Sequence, residues 1–426
     1  MIKVFVAQND LYEKEVKYSW DLFALNKKLP YVFVNSPDQS EISIGDDSNY
    51  TIRISKVFYE KLAQKKYYYT HYFKTRCLVE NEDGTPDYMS TAFYMVNCIQ
   101  EIDHPVVDHY GRFPYNESYQ NKFNCITQNL VQDCFDLLYN SIETLREIPV
   151  KKNPTQIFLS HDIDTIYGSL LQDGFHAVRK GSAGKFFKML NKNFTHYPYW
   201  LNMSEMMNIE EEHNFKSTFF WLVNKDRISP ILKNADYSIE EPKVKSAIKE
   251  IPKRGFFNGL HKSASETNFT EEIKSLEAPV ISNRYHYLKF NPHKDFKKIE
   301  SSGIKLDSSL GFAEMYGFRN NYGMPYRPFD LTEKRTLDFV ECPLNVMDGT
   351  FFNYQKINAT KTYSLIEEFI RTNKSGCIIS VLFHNPFITE FKFGEYRQTY
   401  IKLLEFFNRE NFKCITQEEI IESFFK

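Results

Sequence analysis

Apolar positions along this chain gather in short bursts, with longer helix-like segments between them. The bursts predict strands at Val4 to Val6, Tyr31 to Val34, Ile157 to Leu159, Ser217 to Val223, Val280 to Ile281, Gly376 to Phe383 and Lys413 to Ile415. Helices are expected over Tyr12 to Leu25, Lys56 to Ala63, Tyr199 to His213, Phe269 to Leu276, Phe296 to Ser301 and Gln398 to Asn408. Charge and proline collect at Val150-Lys151-Lys152-Asn153-Pro154, which predicts a short linker. The expected organisation is therefore an accessory α/β domain over 1–150 and a larger unit over 151–426. Beyond the linker, strands alternate with helices, the pattern of a parallel sheet rolled into a barrel.

Several of the predicted strands stop on chargeable side chains. The run Gln156 to Thr165 ends in Ser160-His161-Asp162-Ile163-Asp164, setting one imidazole and two carboxylates where open sheets and barrels keep their sites. In an extended strand Asp162 and Asp164 share a face. Gly259 precedes His261 in Asn258-Gly259-Leu260-His261-Lys262-Ser263, and Ile378 to Phe383 ends at His384 before Pro386. The stretch Ser282 to Phe290 alternates polar and apolar residues, which predicts a strand with Arg284, His286 and Leu288 on one face. Taken singly, each of these is also what a solvated turn, a surface ion pair or a satisfied core histidine looks like. Together they converge on one metal or acid/base site if the sheet is a barrel.

Composition narrows the classes. The chain has 426 residues, long for one core, with 42% hydrophobic and 25% charged residues, as expected of a folded globular protein. Its 53 basic and 55 acidic residues give a net charge of −2, which makes no electrostatic case for nucleic acid. The seven cysteines are scattered with no C-x-x-C pair, so neither a disulfide framework nor a thiolate zinc site is expected. The apolar run at Ile2 to Ala7 is too brief for a signal segment or a membrane span, and the expected location is the cytoplasm.

In order along the chain, Ser160-His161-Asp162-Ile163-Asp164, Gly259-Leu260-His261-Lys262-Ser263, Arg284-Tyr285-His286-Tyr287, Leu306-Asp307-Ser308-Ser309 and Leu382-Phe383-His384 resemble the motifs of the polysaccharide deacetylase superfamily, carbohydrate esterase family four. More narrowly, Asp307 to Arg319 and Asp108-His109-Tyr110-Gly111-Arg112-Phe113 resemble bacterial members with an extra amino-terminal domain. The resemblance implies a distorted (β/α) barrel of polysaccharide-deacetylase type preceded by a smaller α/β domain. It also implies a divalent metal, zinc before other transition metals, and hydrolysis of an N-acetyl group on an amino sugar.

Carried onto this sequence, the family pattern gives Asp162 as general base, Asp164 and His261 as metal ligands, Arg284 as the partner of Asp162, the backbone N–H of Tyr287 as an oxyanion donor and His384 as general acid. The two carboxylates are separated by Ile163 where the family has an adjacent pair, so their roles are exchangeable. The family's second histidine falls at Ser265, and His286 is expected to replace it as third ligand. His161 is expected to support the ligands from behind, before an extra ligand or a capping residue, with Asp307 and Glu314 lining the cleft. Two other classes remain open: a glycan-binding protein with a degraded site, and an amidohydrolase or deformylase acting on a small acylated sugar. The basic run Arg179, Lys180, Lys185, Lys188 and Lys192 reads first as a solvated loop and helix face, and otherwise as a contact for the phosphate of a lipid-linked or nucleotide-linked sugar.

Overall fold

The computed structural model describes residues 1–66, 79–150, 153–179 and 183–425. Cys77, Lys180 and the linker residues Lys151 and Lys152 lie outside them, as does the side chain of Lys185. The chain opens with a small parallel sheet, β1 (Ile2–Val6), β2 (Tyr31–Val34), β3 (Ile42–Gly45) and β4 (Ile52–Arg53), in the order β2-β1-β3-β4. Helices Glu13–Lys27, Tyr88–Val96 and Leu130–Ser141 accompany it.

The second sheet contains β5 (Gln156–Ile163), β6 (Ser217–Leu222), β7 (Phe257–Lys262), β8 (Ser282–Tyr285), β9 (Leu306–Asp307), β10 (Val340–Glu341), β11 (Leu344–Met347), β12 (Ile378–Leu382) and β13 (Lys413–Cys414). All its pairings are parallel, and the order runs β10-β9-β8-β7-β6-β5-β12-β11, with β13 beside β5. The two ends of that order, β10 and β11, are consecutive in the chain, joined only by Cys342 and Pro343. The sheet therefore curls back on itself as a distorted α/β barrel. Where the rim crosses, the Leu344 N–H donates to the Leu310 carbonyl, and a Cβ on Gly311 would stand 2.7 Å from the Leu344 oxygen, so only glycine fits. Seven of the eight residues of β5 are buried, as a strand covered on both faces requires.

Helices fill the crossovers, among them Met203–Glu212, Pro242–Lys253, Ala359–Thr372 and Gly394–Arg409, the second and third of which were not read from the sequence. Val280 and Ile281 are not strand, since β8 begins at Ser282. The alternating stretch Ser282 to Phe290 is strand only as far as Tyr285. His286–Leu288 is a tight turn in which Tyr287 (φ 60°) and Leu288 (φ 52°) are both left-handed, so His286 and Leu288 do not continue a strand face.

The amino-terminal elements share one apolar core with the barrel. Polar bonds cross as well: Tyr18 donates to the Arg327 carbonyl (2.8 Å), Gln120 to Asn321 (2.8 Å), and Arg319 grips Glu101 with two guanidinium nitrogens (2.9 and 2.6 Å).

Candidate metal centre and acid/base site

Every chemistry-bearing residue of the site leaves the carboxyl end of a barrel strand, the end where barrels assemble their sites. Period-two geometry sends Ser160, Asp162 and Asp164 inward from β5, while His161 turns away. His161 bonds the Glu210 carboxylate (2.5 Å) and the Phe383 carbonyl (2.6 Å), a buried tie between β5, a crossover helix and β12 rather than a neighbour of the ligands. In the ladder Arg284 pairs with His261, which fixes the spacing of β7 and β8 at the site.

Asp164, His261 and His286 present ligand atoms that all lie within 4.8 Å of one another. His261 Nε2 stands 3.2 Å from Asp164 Oδ1 and 3.1 Å from His286 Nδ1, and His286 Nδ1 is 3.6 Å from the same oxygen. The outer nitrogens are tied down: His261 Nδ1 to the Arg284 carbonyl (2.9 Å) and His286 Nε2 to the Lys233 carbonyl (2.9 Å). Because a carbonyl only accepts, each outer nitrogen carries the proton, and each neutral ring turns a lone pair toward the other and toward a carboxylate. Asp164 Oδ1 is buried with no hydrogen-bond partner. Three acceptors facing inward without a donor repel one another, and a cation between them removes the conflict.

The donor set fits a divalent transition metal. Two imidazoles and a carboxylate make the three-protein-ligand set of catalytic zinc sites, and ligands held at about 2.0–2.1 Å from one tetrahedral ion stand roughly 3.3 Å apart. Ser265 is not part of this cluster: it bonds Asn234 (2.6 Å) and Asp226 (3.0 Å).

The electrostatics follow from the packing. Burial alone would raise the Asp164 carboxyl, but the imidazoles of His286, His384 and His261 hold it far below the usual carboxylate range. Burial pushes His286 down to about 4 despite Asp164. His261 moves upward: Asp162 and Asp164 outweigh its burial.

Two flanking pairs complete the arrangement. Asp162 is buried, and its Oδ1 accepts from Arg284 Nη1 (2.9 Å); its Oδ2 is 3.6 Å from His261 Nε2. Arg284 is wholly buried and spends its other donors on Ser160 Oγ and on the carbonyl and hydroxyl of Ser308, with its plane over Phe220. On the opposite side His384 Nδ1 bonds Asp348 Oδ1 (2.6 Å), Asp348 Oδ2 accepts from the His384 N–H (2.7 Å), and His384 Nε2 faces Asp164 Oδ2 at 3.6 Å. Burial disfavours the His384 imidazolium, yet Asp348, with Asp164 and Asp162, raises it to about 10. Sequence reasoning missed Asp348. It follows β11 in Met347-Asp348-Gly349, the same strand-end signal that exposed the other residues.

Asp162, Asp164, His261, His286 and His384 line one cavity of about 320 Å³, together with Tyr287, Tyr354 and, from the amino-terminal region, His109, Tyr110 and Arg112, while Arg284 and Asp348 stand behind them. Arg112 bonds Asp108 (2.7 Å) and the Tyr287 carbonyl (2.6 Å), and the Tyr110 and Tyr287 rings stack at 5.1 Å. That grip holds the left-handed Tyr287 in place. Asp307 and Glu314 do not line the cavity. Asp307 is buried against Asn283 and Glu341, and Glu314 caps the Tyr115 N–H.

A family of unknown function, DUF7033, matches residues 5–147. No curated protein matches the chain. Among solved structures, it is similar to one from Mycobacterium smegmatis assigned as a polysaccharide deacetylase (14% identity, TM-score 0.40, covering 64% of this chain and 90% of that one). It is also similar to the peptidoglycan deacetylase PdaC of Bacillus subtilis (11%, TM-score 0.32, covering 64% and 92%). A third is a Bacillus anthracis pseudoenzyme of carbohydrate esterase family four (9%, TM-score 0.31, covering 66% and 72%). At such identities the chemistry of the site is decided by its own residues.

Proposed function

We propose that this protein is a metal-dependent hydrolase of the polysaccharide-deacetylase type, removing an N-acetyl or other acyl group from an amino sugar of a glycan or glycan precursor. The observation that carries this reading is the unpartnered Asp164 oxygen between two inward-facing imidazoles, set in one cavity with Asp162 and His384, which Arg284 and Asp348 hold from behind. In this reading the chain divides near residue 150, and the front unit lends His109, Tyr110 and Arg112 to the cavity wall.

Asp164, His261 and His286 would hold the ion. A bound divalent cation, zinc before other transition metals, lowers the pKa of its water to about 7 and polarises the acyl carbonyl. The arrangement supports Asp162 as the base: one oxygen is fixed by the buried Arg284 guanidinium and the other is open to the cavity. It supports Asp164 as the ligand, because its Oδ1 has no donor. His384 would protonate the departing amine from Nε2 while Asp348 holds Nδ1–H, the orientation a general acid needs. The backbone N–H of Tyr287 would steady the developing oxyanion, positioned by the turn that Arg112 clamps.

His109 and Tyr110 line the cavity from the amino-terminal region, and a small acylated sugar that fits between them and the ligands is the second substrate class this lining supports. The test is elemental analysis with acetate release, on wild type and on His286→Ala. Stoichiometric metal and hydrolysis in the wild type, with both lost in the variant, support the reading. A wild type that binds no metal and releases no acyl group from N-acetylated sugars leaves a glycan-binding protein in its place.

A further inference from the structure

Directly after the Asp164 loop come two helices, Ser169–Arg179 and Ala183–Thr195, that cover no apolar surface on their outer side. Their inner faces are anchored. Asp173 is buried and accepts from Trp200 Nε1 (3.1 Å) and the Lys392 N–H (3.2 Å), Gln172 bonds Lys392 Nζ (2.7 Å), and Ser169 bonds Asn193 across the pair (2.8 Å). Outward, at helical spacing, stand Leu171 (82% exposed), Phe175 (70%) and Val178 (66%) on one helix, and Phe187 (68%) and Phe194 (91%) on the other. Of the 19 exposed large apolar residues among the described ones, seven lie in these 24 helical residues, so they form a patch rather than the usual scatter.

We propose that this helical pair is a docking surface for an anionic lipid membrane, on which the protein lies without crossing it. Helices of 11 and 13 residues are too short to span, and no helix among the described residues is long and apolar enough to do so. Charge names the occupant. The pair presents Arg179, Lys188 and Lys192 against one acid, Asp173, which is buried and bonded inward; Glu390 offsets only part of the excess, pairing Lys188 (3.1 Å) and Lys192 (3.0 Å). Exposed aromatics flanked by cations match an acyl-chain boundary beneath negative headgroups. A second copy of the chain would set the same cations against themselves.

The surface lies beside the candidate site. Gln172 lines a cavity of about 230 Å³ with Asp164, His384, Trp200, Phe387 and Phe393, so the reaction cavity and an aromatic-lined path toward the helical pair share a rim. Resting on the hydrolase reading above, the substrate class is then an amino sugar carried on a lipid phosphate.

The test is co-sedimentation of the full chain with phosphatidylcholine vesicles, with and without phosphatidylglycerol, in the absence of substrate. Binding to the anionic vesicles that weakens with salt is expected, together with a loss of about tenfold or more in Phe175→Ser/Phe194→Ser at an unchanged circular dichroism spectrum. Arg179→Glu/Lys188→Glu, which leaves the apolar stripe intact, should lose the preference for phosphatidylglycerol. A wild type that stays in the supernatant with both vesicles overturns the inference, as does a wild-type dimer that the serine substitutions split into monomers. Vesicle binding by a wild type that holds no metal and releases no acyl group from soluble or lipid-linked amino sugars would remove the hydrolase reading alone. Acetate release without vesicle binding would remove the membrane surface alone.

Discussion

Two buried polar clusters in this molecule are built on opposite principles. At the junction of the amino-terminal region and the barrel, Arg319 gives Nε and Nη2 to Glu101 and Nη1 to the Gly311 carbonyl, so every group has a partner. Around Asp164 the facing ligand atoms are enclosed at the floor of a cavity, yet three acceptors face each other and one oxygen has no donor. A satisfied cluster of that kind staples parts together. An unsatisfied one is tolerated in a folded chain where something else is meant to bind.

The contrast can be broken most sharply at the ligands. His261→Ala or His286→Ala should abolish bound metal and acyl release while changing the melting temperature of the metal-free protein little, and chelation should lower the melting temperature of the wild type only. Elemental analysis beside calorimetry reads this. Next in size, Asp162→Asn should retain the metal and lose about 10²–10⁴-fold in kcat. Equal losses of metal and activity would exchange the roles of the two carboxylates.

Arg319→Ala should do the reverse of the ligand variants. Leaving Glu101 buried and unpaired costs about 3–5 kcal/mol of stability, measured by denaturant unfolding, with metal affinity unchanged in the folded fraction. Asp348→Asn is expected to lower kcat about 10–100-fold, the usual effect of removing a carboxylate that orients an imidazole. It should also move the alkaline limb of the kcat profile to lower pH. Asp348 favours the imidazolium of His384, so its removal lets that proton leave sooner as pH rises. Smallest, Tyr110→Ala should raise KM about 2- to 10-fold with kcat unchanged, reporting a wall residue rather than a reacting one.

Much of the barrel and its site is legible in local pattern because both follow from rules with short range. Alternation along a strand puts Asp162 and Asp164 on one face, and the buried bursts that end in His261 and His384 mark strand ends. The places that resist such reading are those where distant groups set the backbone. The alternation from Ser282 to Phe290 predicts a continuous strand, but the Arg112 guanidinium on the Tyr287 carbonyl and the Lys233 carbonyl on His286 hold a left-handed turn there instead. His161 sits among the motif residues and yet faces Glu210, a partner 49 positions away. Asp348 carried the same strand-end signal as its neighbours, and its pairing with His384 becomes visible only when β11 and β12 lie side by side.

The sequence by itself determined which residues stand at the carboxyl ends of strands, since a two-residue period and an abrupt change from apolar to chargeable side chains are local properties. Tertiary structure alone decided that His286, expected as the replacement ligand, reaches His261 from a left-handed turn rather than a strand face, that Asp348 holds His384, and that His109, Tyr110 and Arg112 wall the cavity. Those outcomes depend on a sheet that curls until residues hundreds of positions apart stand within a few ångströms, and no local pattern encodes that closure.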